Sequence, residues 1–135
     1  EMRSDRESVE AYVKTLFSWD VDPQRRIPDG ENGVEVLARY DHVTRLAAES
    51  GAESVAFISH GGVIRVWCGL RADNIDLGFS AHHWVPNTGL VVVEGHPDEG
   101  WRMTSWPEWA LGGPELSDPP HTGPAGEPEE IAEAR

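Results

Sequence analysis

SVAFISHGGVIR, residues 54–65, is the most informative run in the chain. Its first six residues are apolar β-formers and small polar residues without alternating polarity, which is typical of a parallel strand covered on both faces. Two glycines interrupt the run, and the apolar residues 63–70 that follow predict a helix. A strand, a glycine turn and a helix in this order indicate an α/β protein.

Two helices are predicted before this run. Apolar residues at three- and four-residue spacing predict an amphipathic helix that begins at Ser8 and ends by Asp20. After a proline-containing loop, Glu31 or Asn32 is the predicted cap of a longer helix that stops at Gly51. The predicted apolar face of this longer helix comprises Val36, Leu37, Tyr40, Val43, Leu46 and Ala47.

Two further strands are predicted after the run, over residues 89–94 and 101–106. The polar turn 95–100 joins them, so they form a predicted hairpin at one edge of the sheet. The fold class expected from the whole pattern is α/β with a mostly parallel sheet.

The composition of the chain limits the classes of partner that it can bind. The chain has 135 residues, one domain's worth, with 11 basic and 24 acidic residues and a net charge of −13. A surface this acidic repels a phosphate backbone, and no apolar run approaches the roughly 18 residues of a membrane span. We therefore expect neither nucleic acid nor membrane as a partner.

The last part of the chain differs from the rest. Residues 112–135 are rich in proline and glycine and carry six acidic residues and one arginine. Such a segment buries too little apolar surface to offset its ordering entropy. The sequence therefore predicts a folded domain over residues 1–111 and a disordered acidic tail over residues 112–135.

One cysteine, Cys68, is present, and it cannot form an internal disulfide. The first residues lack the basic head and apolar core of a secretion signal, so a reducing, cytoplasmic location is predicted. Cys68 lies between apolar neighbours and is predicted to be buried and unreactive.

His60, Gly61 and Gly62 are the candidate site. In open α/β sheets, ligands bind beyond the carboxyl ends of strands, where a helix N-terminus favours an anion such as phosphate. The glycines allow close approach to the backbone, and His60 can donate a proton or a hydrogen bond. The alternative is that His60 only ends the strand and the glycines form a tight turn.

Two adjacent histidines and one arginine are further candidates for a ligand site. His82 and His83 could join His60 at a metal, but adjacent side chains on an extended segment point apart and no cysteine or carboxylate has ligand spacing. We therefore predict no metal and no cofactor. Arg65 could reach a phosphate or pair with a surface acid. The predicted core tryptophans are Trp19, Trp101 and Trp106.

Residues 57–65 resemble the second histidine motif of the histidine phosphatase superfamily, the phosphoglycerate mutase-like proteins. Residues 28–32, followed by Arg39, resemble the family's Gly-Glu-Ser turn and the helix after it. Residues 86–89 and the tryptophan-rich last strand resemble the family's end. The resemblance covers residues 1–107 and implies a three-layer α/β sandwich.

The resemblance implies two-step phosphoryl transfer. In the family, a histidine in an Arg-His-Gly motif attacks phosphorus, two arginines and a second histidine hold the phosphoryl oxygens, and a carboxylate protonates the leaving group. By this resemblance His60 is the second histidine, and the backbone of Gly61 and Gly62 lines the phosphate pocket. The substrate would be a small phosphorylated molecule, with no cofactor.

The chain departs from the family pattern because it contains no Arg-His-Gly triplet. It resembles the C-terminal part of a histidine phosphatase without the first strand and helix, and the opening Glu1-Met2 fits a piece of a longer protein. We therefore expect the longer protein to be a phosphomonoesterase and this chain to be inactive, with a sheet edge exposed for dimerisation. The alternative is a non-catalytic phosphate-binding or dimerisation module.

Overall fold

The structure is a computed structural model that describes residues 6–116. Within this part of the chain there are four α-helices, one two-stranded sheet and a short 3-10 turn. In chain order they are α1 (Arg6–Leu16), α2 (Gly33–Glu49), α3 (Gly61–Arg71), α4 (Phe79–His82), β1 (Val92–His96), β2 (Gly100–Ser105) and the 3-10 turn Pro114–Leu116.

Both predicted N-terminal helices are present. The first ends at Leu16, before the predicted limit at Asp20, and the backbone N–H of Ser18 turns back to the carbonyl of Thr15. The second begins with a capping box: the Asn32 side chain accepts from the Glu35 N–H at 2.9 Å, and Glu35 accepts from the Asn32 N–H at 3.1 Å. This satisfies two N–H groups that a helix start leaves without helical partners.

Helix α3 lies between two apolar clusters. Val66 packs with Trp19 and five other buried residues from α1, α2, α4 and the segment after α1. Trp67 and Cys68 pack with Leu37 of α2 and with the hairpin. The predicted core position of Trp19 is confirmed, because only 1% of it is exposed.

The predicted hairpin is confirmed. Strands β1 and β2 pair antiparallel, with Glu94 opposite Arg102 and a bulge beside Val93. Gly95 has φ +148, and a Cβ there would lie 2.1 Å from the carbonyl oxygen of Gly100. A glycine is therefore required where β1 meets the turn.

The prediction of an interior parallel strand over residues 54–59 is wrong for this structure. The segment has no regular secondary structure, and Phe57 is 47% and Ile58 102% exposed. Within residues 6–116 the sheet is the antiparallel hairpin alone, so a mostly parallel sheet is not found there. The physical reason is that β-propensity produces a strand only where a second strand supplies hydrogen-bond partners.

The predicted apolar face of α2 is buried only in part. Val36 and Leu37 are buried, whereas Val43 is 44% and Leu46 52% exposed. The first pair lies against α1 and α3, and the second pair lies farther along the helix. A helix face is buried only where another element covers it, and periodicity alone does not reveal where that is.

The predicted acidic tail falls mostly outside the described residues, which end at 116. The boundary at residue 111 therefore stays a prediction. None of the helices in the described part of the chain has the length and apolar character needed to cross a membrane.

Candidate functional site

His60 lies at the N-cap of α3 and is exposed. Its backbone is extended (φ −83, ψ 141), and its carbonyl accepts the N–H of Ile64 at 3.1 Å, the first bond of the helix. Gly61 is half-buried and Gly62 is buried in the first turn. The N–H groups of this turn have no helical acceptors, which gives the turn its preference for an anion.

Tyr40 of α2 contacts the residue before the histidine. Its hydroxyl donates a hydrogen bond to the hydroxyl of Ser59, the residue before His60. The ring is half-buried beside Trp67, with 6.5 Å between ring centroids. Helix α2 therefore contacts the residue that leads into the candidate site.

An ion pair joins α2 to α3 next to this contact. Both carboxylate oxygens of Asp41 accept from the guanidinium of Arg71, at 2.6 Å for the shortest pair, and Oδ1 also accepts from the indole N–H of Trp67 at 3.1 Å. Burial acts to raise the pKa of Asp41, but the bonds from Arg71 and Trp67 outweigh it and lower the pKa. Asp41 therefore stays ionised and holds the two helices together.

Arg65 lies in the core of the protein. The residue is fully buried, its guanidinium donates to the carbonyl of Ser80, and its charged carbon lies 3.9 Å from the centroid of the Phe17 ring. Arg65 therefore lies in the core and not at the surface, and it links α3 to α4 and to the residue after α1, where the ring stabilises the cation.

The two adjacent histidines lie at the end of α4. His82 is exposed, whereas His83 stacks on Phe79 with 4.0 Å between centroids. Burial, followed by the nearby charges of Arg65 and His82, lowers the pKa of His83. Among the described residues no three His, Cys, Asp or Glu side chains gather as metal ligands.

Cys68 is buried as predicted, with 3% exposed. Burial raises the pKa of its thiol to about 12. The thiolate is the reactive form, so Cys68 is unreactive near neutral pH.

Tyr40 is the residue of this region that the sequence analysis missed, because it was grouped with the apolar face of α2. The residue type itself could have indicated a polar contact at this position. A tyrosine in an otherwise aliphatic stripe carries a hydroxyl that needs a hydrogen-bond partner when it is half-buried.

Together, an exposed histidine at a helix start and two glycines in the first turn define a candidate phosphate site at the start of α3. The family model described as "Histidine phosphatase superfamily (branch 1)" matches residues 1–108. The chain therefore belongs to the histidine phosphatase superfamily, and the predicted resemblance is confirmed. Membership implies an α/β fold.

One relative is similar over a limited stretch. The PE-PGRS family protein PE_PGRS11 of Mycobacterium tuberculosis (strain ATCC 25618 / H37Rv) is 41% identical over 61 residues. These residues are 45% of this chain, which spans about 10% of the relative's length. No solved structure matches the chain.

Proposed function

We propose that this chain is the C-terminal part of a phosphomonoester hydrolase that works through a phosphohistidine intermediate. The observation that carries the proposal is the position of His60, exposed at the start of α3 in a chain that belongs to the histidine phosphatase superfamily. An imidazole there can donate to a phosphoryl oxygen held by the first turn of the helix.

The proposal gives each site residue a role. The N–H groups of Gly61 and Gly62 hold the phosphoryl group of a small phosphorylated substrate, and His60 donates to the same group as charge develops on it. The attacking histidine comes from an Arg-His-Gly motif, which these 135 residues do not contain. The chain alone is therefore proposed to be inactive, and no metal or cofactor takes part.

The proposed longer protein is a three-layer sandwich with a mostly parallel sheet, in which residues 54–59 become an interior strand. Two properties of the segment support this. It runs directly into His60, and its apolar side chains Val55, Phe57 and Ile58 are 45%, 47% and 102% exposed. The buried free thiol of Cys68 agrees with the proposed cytoplasmic location.

The experiment compares hydrolysis of p-nitrophenyl phosphate by three proteins: this chain, the longer open reading frame that contains it, and the longer protein with His60→Ala. We expect activity only in the longer wild-type protein, with a loss of about 100-fold or more in the variant. His42→Ala is the matched control, because it removes an exposed imidazole from α2. An active longer protein whose His60→Ala variant stays within twofold of wild type contradicts the assignment.

A dimerisation module is the second candidate, favoured by the exposed apolar segment 54–59. An apolar strand without a partner is a template for pairing with another chain. Sedimentation equilibrium of this chain at several concentrations tests it. A dimer, combined with no phosphatase activity in the longer protein, would favour the module over the enzyme.

A further inference from the structure

Asn32 and Gly33 lie at the start of α2, as its N-cap and its first residue. They form the only asparagine-glycine pair in the sequence. In such a pair the asparagine side chain is open to attack by the backbone nitrogen that follows it, because glycine has no side chain to shield that nitrogen. Whether the pair reacts therefore depends on how the fold holds it.

The reaction needs only water and a base from the solvent. The base removes the proton of the Gly33 N–H, and the nitrogen attacks the side-chain carbonyl carbon of Asn32. A new C–N bond closes a succinimide ring, the bond to the side-chain nitrogen breaks, and ammonia leaves. Water then opens the ring at either carbonyl carbon. One product has aspartate at position 32, and the other has isoaspartate, whose main chain runs through the former side chain.

The capping box holds Asn32 away from the geometry of this ring. The side-chain oxygen of Asn32 accepts from the Glu35 N–H at 2.9 Å, and the Asn32 N–H donates to the Glu35 carboxylate at 3.1 Å. Ring closure requires the Cβ of Asn32 and the nitrogen of Gly33 to be nearly eclipsed about the Cα–C bond of Asn32. The extended backbone at φ −96 and ψ 172 staggers these two atoms. Asn32 must therefore leave its N-cap conformation before it reacts.

Packing around Gly33 opposes that rotation. Gly33 is buried, and an added Cβ would lie 2.7 Å from the Trp19 ring and 3.0 Å from the Pro23 carbonyl oxygen. Only 9% of Asn32 is exposed, and its carbonyl accepts the N–H of Val36 at 3.1 Å. Rotation about ψ of Asn32 breaks this bond, so the first turn of α2 must open for the ring to form.

We propose that Asn32-Gly33 is a succinimide-forming modification site whose reaction is gated by opening of the first turn of α2. In the closed turn, the capping box and the packing of Gly33 prevent the reaction. In the open turn the pair reacts as in an unfolded chain, so the observed rate is the open fraction multiplied by the unfolded rate. The inference does not depend on the proposed phosphatase activity.

The two products differ in their effect on α2. Aspartate keeps a side-chain oxygen that can accept from the N–H of Glu35, so the cap is retained. Isoaspartate adds a carbon atom to the main chain and moves the free carboxylate, so the cap is lost. Accumulation of isoaspartate is therefore expected to loosen the start of a helix that also holds α3 through Asp41 and Arg71.

Peptide mapping of the chain measures the reaction. Trypsin releases residues 27–39, in which Asn32 carries the only side-chain amide, so a mass gain of this peptide reports its deamidation. In mildly alkaline buffer we expect the chain in urea to react at least about tenfold faster than the folded chain. Chromatography is expected to separate an aspartate and an isoaspartate product. Equal rates in the two conditions, or aspartate as the sole product, would overturn the inference.

An internal control comes from the tryptic peptide 72–102 of the same digest. Its asparagines, Asn74 and Asn87, are followed by the β-branched residues Ile75 and Thr88, which hinder attack by the backbone nitrogen. This peptide is expected to gain little mass with or without urea. A gain as large as that of residues 27–39 would show that the glycine is not the cause and would overturn the assignment of the site.

Variants of the capping box test the gate. Glu35→Ala removes the carboxylate that accepts from the Asn32 N–H, so we expect deamidation about fivefold faster in the folded chain and unchanged in urea. Glu35→Gln keeps an acceptor for this N–H and is expected to stay within about twofold of the wild type, with fragment ions placing the mass gain at position 32.

Glu31→Ala is the matched control. It removes a carboxylate that pairs with Arg39 at 2.7 Å, beside the site but outside the capping box. Its deamidation rate is expected to equal that of the wild type. No acceleration in Glu35→Ala, or an equal acceleration in Glu31→Ala, would overturn the gating by the capping box.

Discussion

Two regions of this molecule have β-forming sequences, and only one of them forms strands. The hairpin over residues 92–105 pairs with itself across a turn of a few residues, whereas the segment 54–59 is exposed over residues 54–58 and pairs with no strand within the described residues. The unpaired segment is the more apolar of the two, with four apolar residues out of six against four out of 14 in the hairpin. The difference is that the hairpin carries its own partner strand.

The hairpin is also supported on its second edge. The backbone N–H of Asp73 donates to the carbonyl of Trp101 at 2.8 Å, and the side chain of Asn74 bonds both the N–H and the carbonyl of Met103 at 2.8 Å. The segment 54–59 has only the Tyr40 hydroxyl in a comparable role. The comparison shows that available backbone partners, more than residue preference, decide which region becomes a sheet.

The largest expected effect comes from breaking the hairpin at its turn. Gly95→Ala places a Cβ 2.1 Å from the Gly100 carbonyl oxygen at a backbone angle of φ +148. We expect a loss of about 3 kcal/mol in the free energy of unfolding, measured by urea titration of tryptophan fluorescence.

Gly51→Ala is the control for this change. Gly51 has φ +77, but no atom lies within 4 Å of the added Cβ. Only the backbone cost of about 1 kcal/mol is therefore expected. Equal losses at the two glycines would contradict a hairpin held by close approach of its strands.

Asp41→Asn is expected to weaken the packing of the hairpin on α3. Asp41 accepts a hydrogen bond from the indole of Trp67, and Trp67 lies edge-on to Trp101 of β2 with 5.4 Å between ring centroids. The side chains of Asp41 and Arg71 are 40% and 36% exposed, so solvent screening limits the expected loss to about 1 kcal/mol. The urea midpoint of each protein, measured at several pH values, provides the test.

The pH dependence has a definite sign. The pKa of Asp41 is lowered in the folded chain, so its contribution is fully present above the unfolded value of about 3.9. It is lost as the pH falls through the lower folded pKa. We expect the stability difference between wild type and Asp41→Asn to shrink below about pH 4, and a difference that grows there would contradict the ion pair.

Asn74→Ala removes the side chain that bonds the outer edge of β2. Two hydrogen bonds to Met103 are lost, but the site is exposed and water replaces them in part. We expect a loss of about 1 kcal/mol and faster hydrogen exchange at the amide of Met103. Asn74→Asp keeps the acceptor for that amide, so its exchange is expected to stay closer to that of the wild type.

The smallest expected effect is at Ile58, the most exposed apolar residue of the unpaired segment. Ile58→Lys should change the free energy of unfolding of this chain by no more than about 0.5 kcal/mol. Val93→Lys, at a half-buried position packed on the Trp67 cluster, should cost about 2 kcal/mol. Strong protection of the amides of residues 55–58 from hydrogen exchange would contradict the comparison.

The parts of the fold that the sequence predicted correctly are those with local causes. The capping box at Asn32 and Glu35 lies within four residues, and the hairpin is closed by a short turn. The start of α3 beside His60 follows from the two glycines after the apolar segment 54–59. Each of these features depends on neighbours that can be seen in a short stretch of sequence.

The features that sequence reasoning did not reach depend on distant partners. Buried Arg65 contacts the Ser80 carbonyl and the Phe17 ring, which are 15 and 48 residues away in the sequence. The bond between Tyr40 and Ser59 likewise joins residues 19 positions apart. A local sequence pattern does not reveal contacts between residues that are far apart in the chain. The candidate histidine could therefore be predicted, whereas these contacts could not.

The side chain of Asn74 has a further consequence for how this sheet can grow. The Asn74 side chain bonds both the N–H and the carbonyl of Met103, so these two groups cannot pair with a further strand on the β2 side of the sheet. A third strand can therefore join only along β1. Growth of the sheet has one direction, whether the added strand comes from the same polypeptide or from a neighbouring molecule.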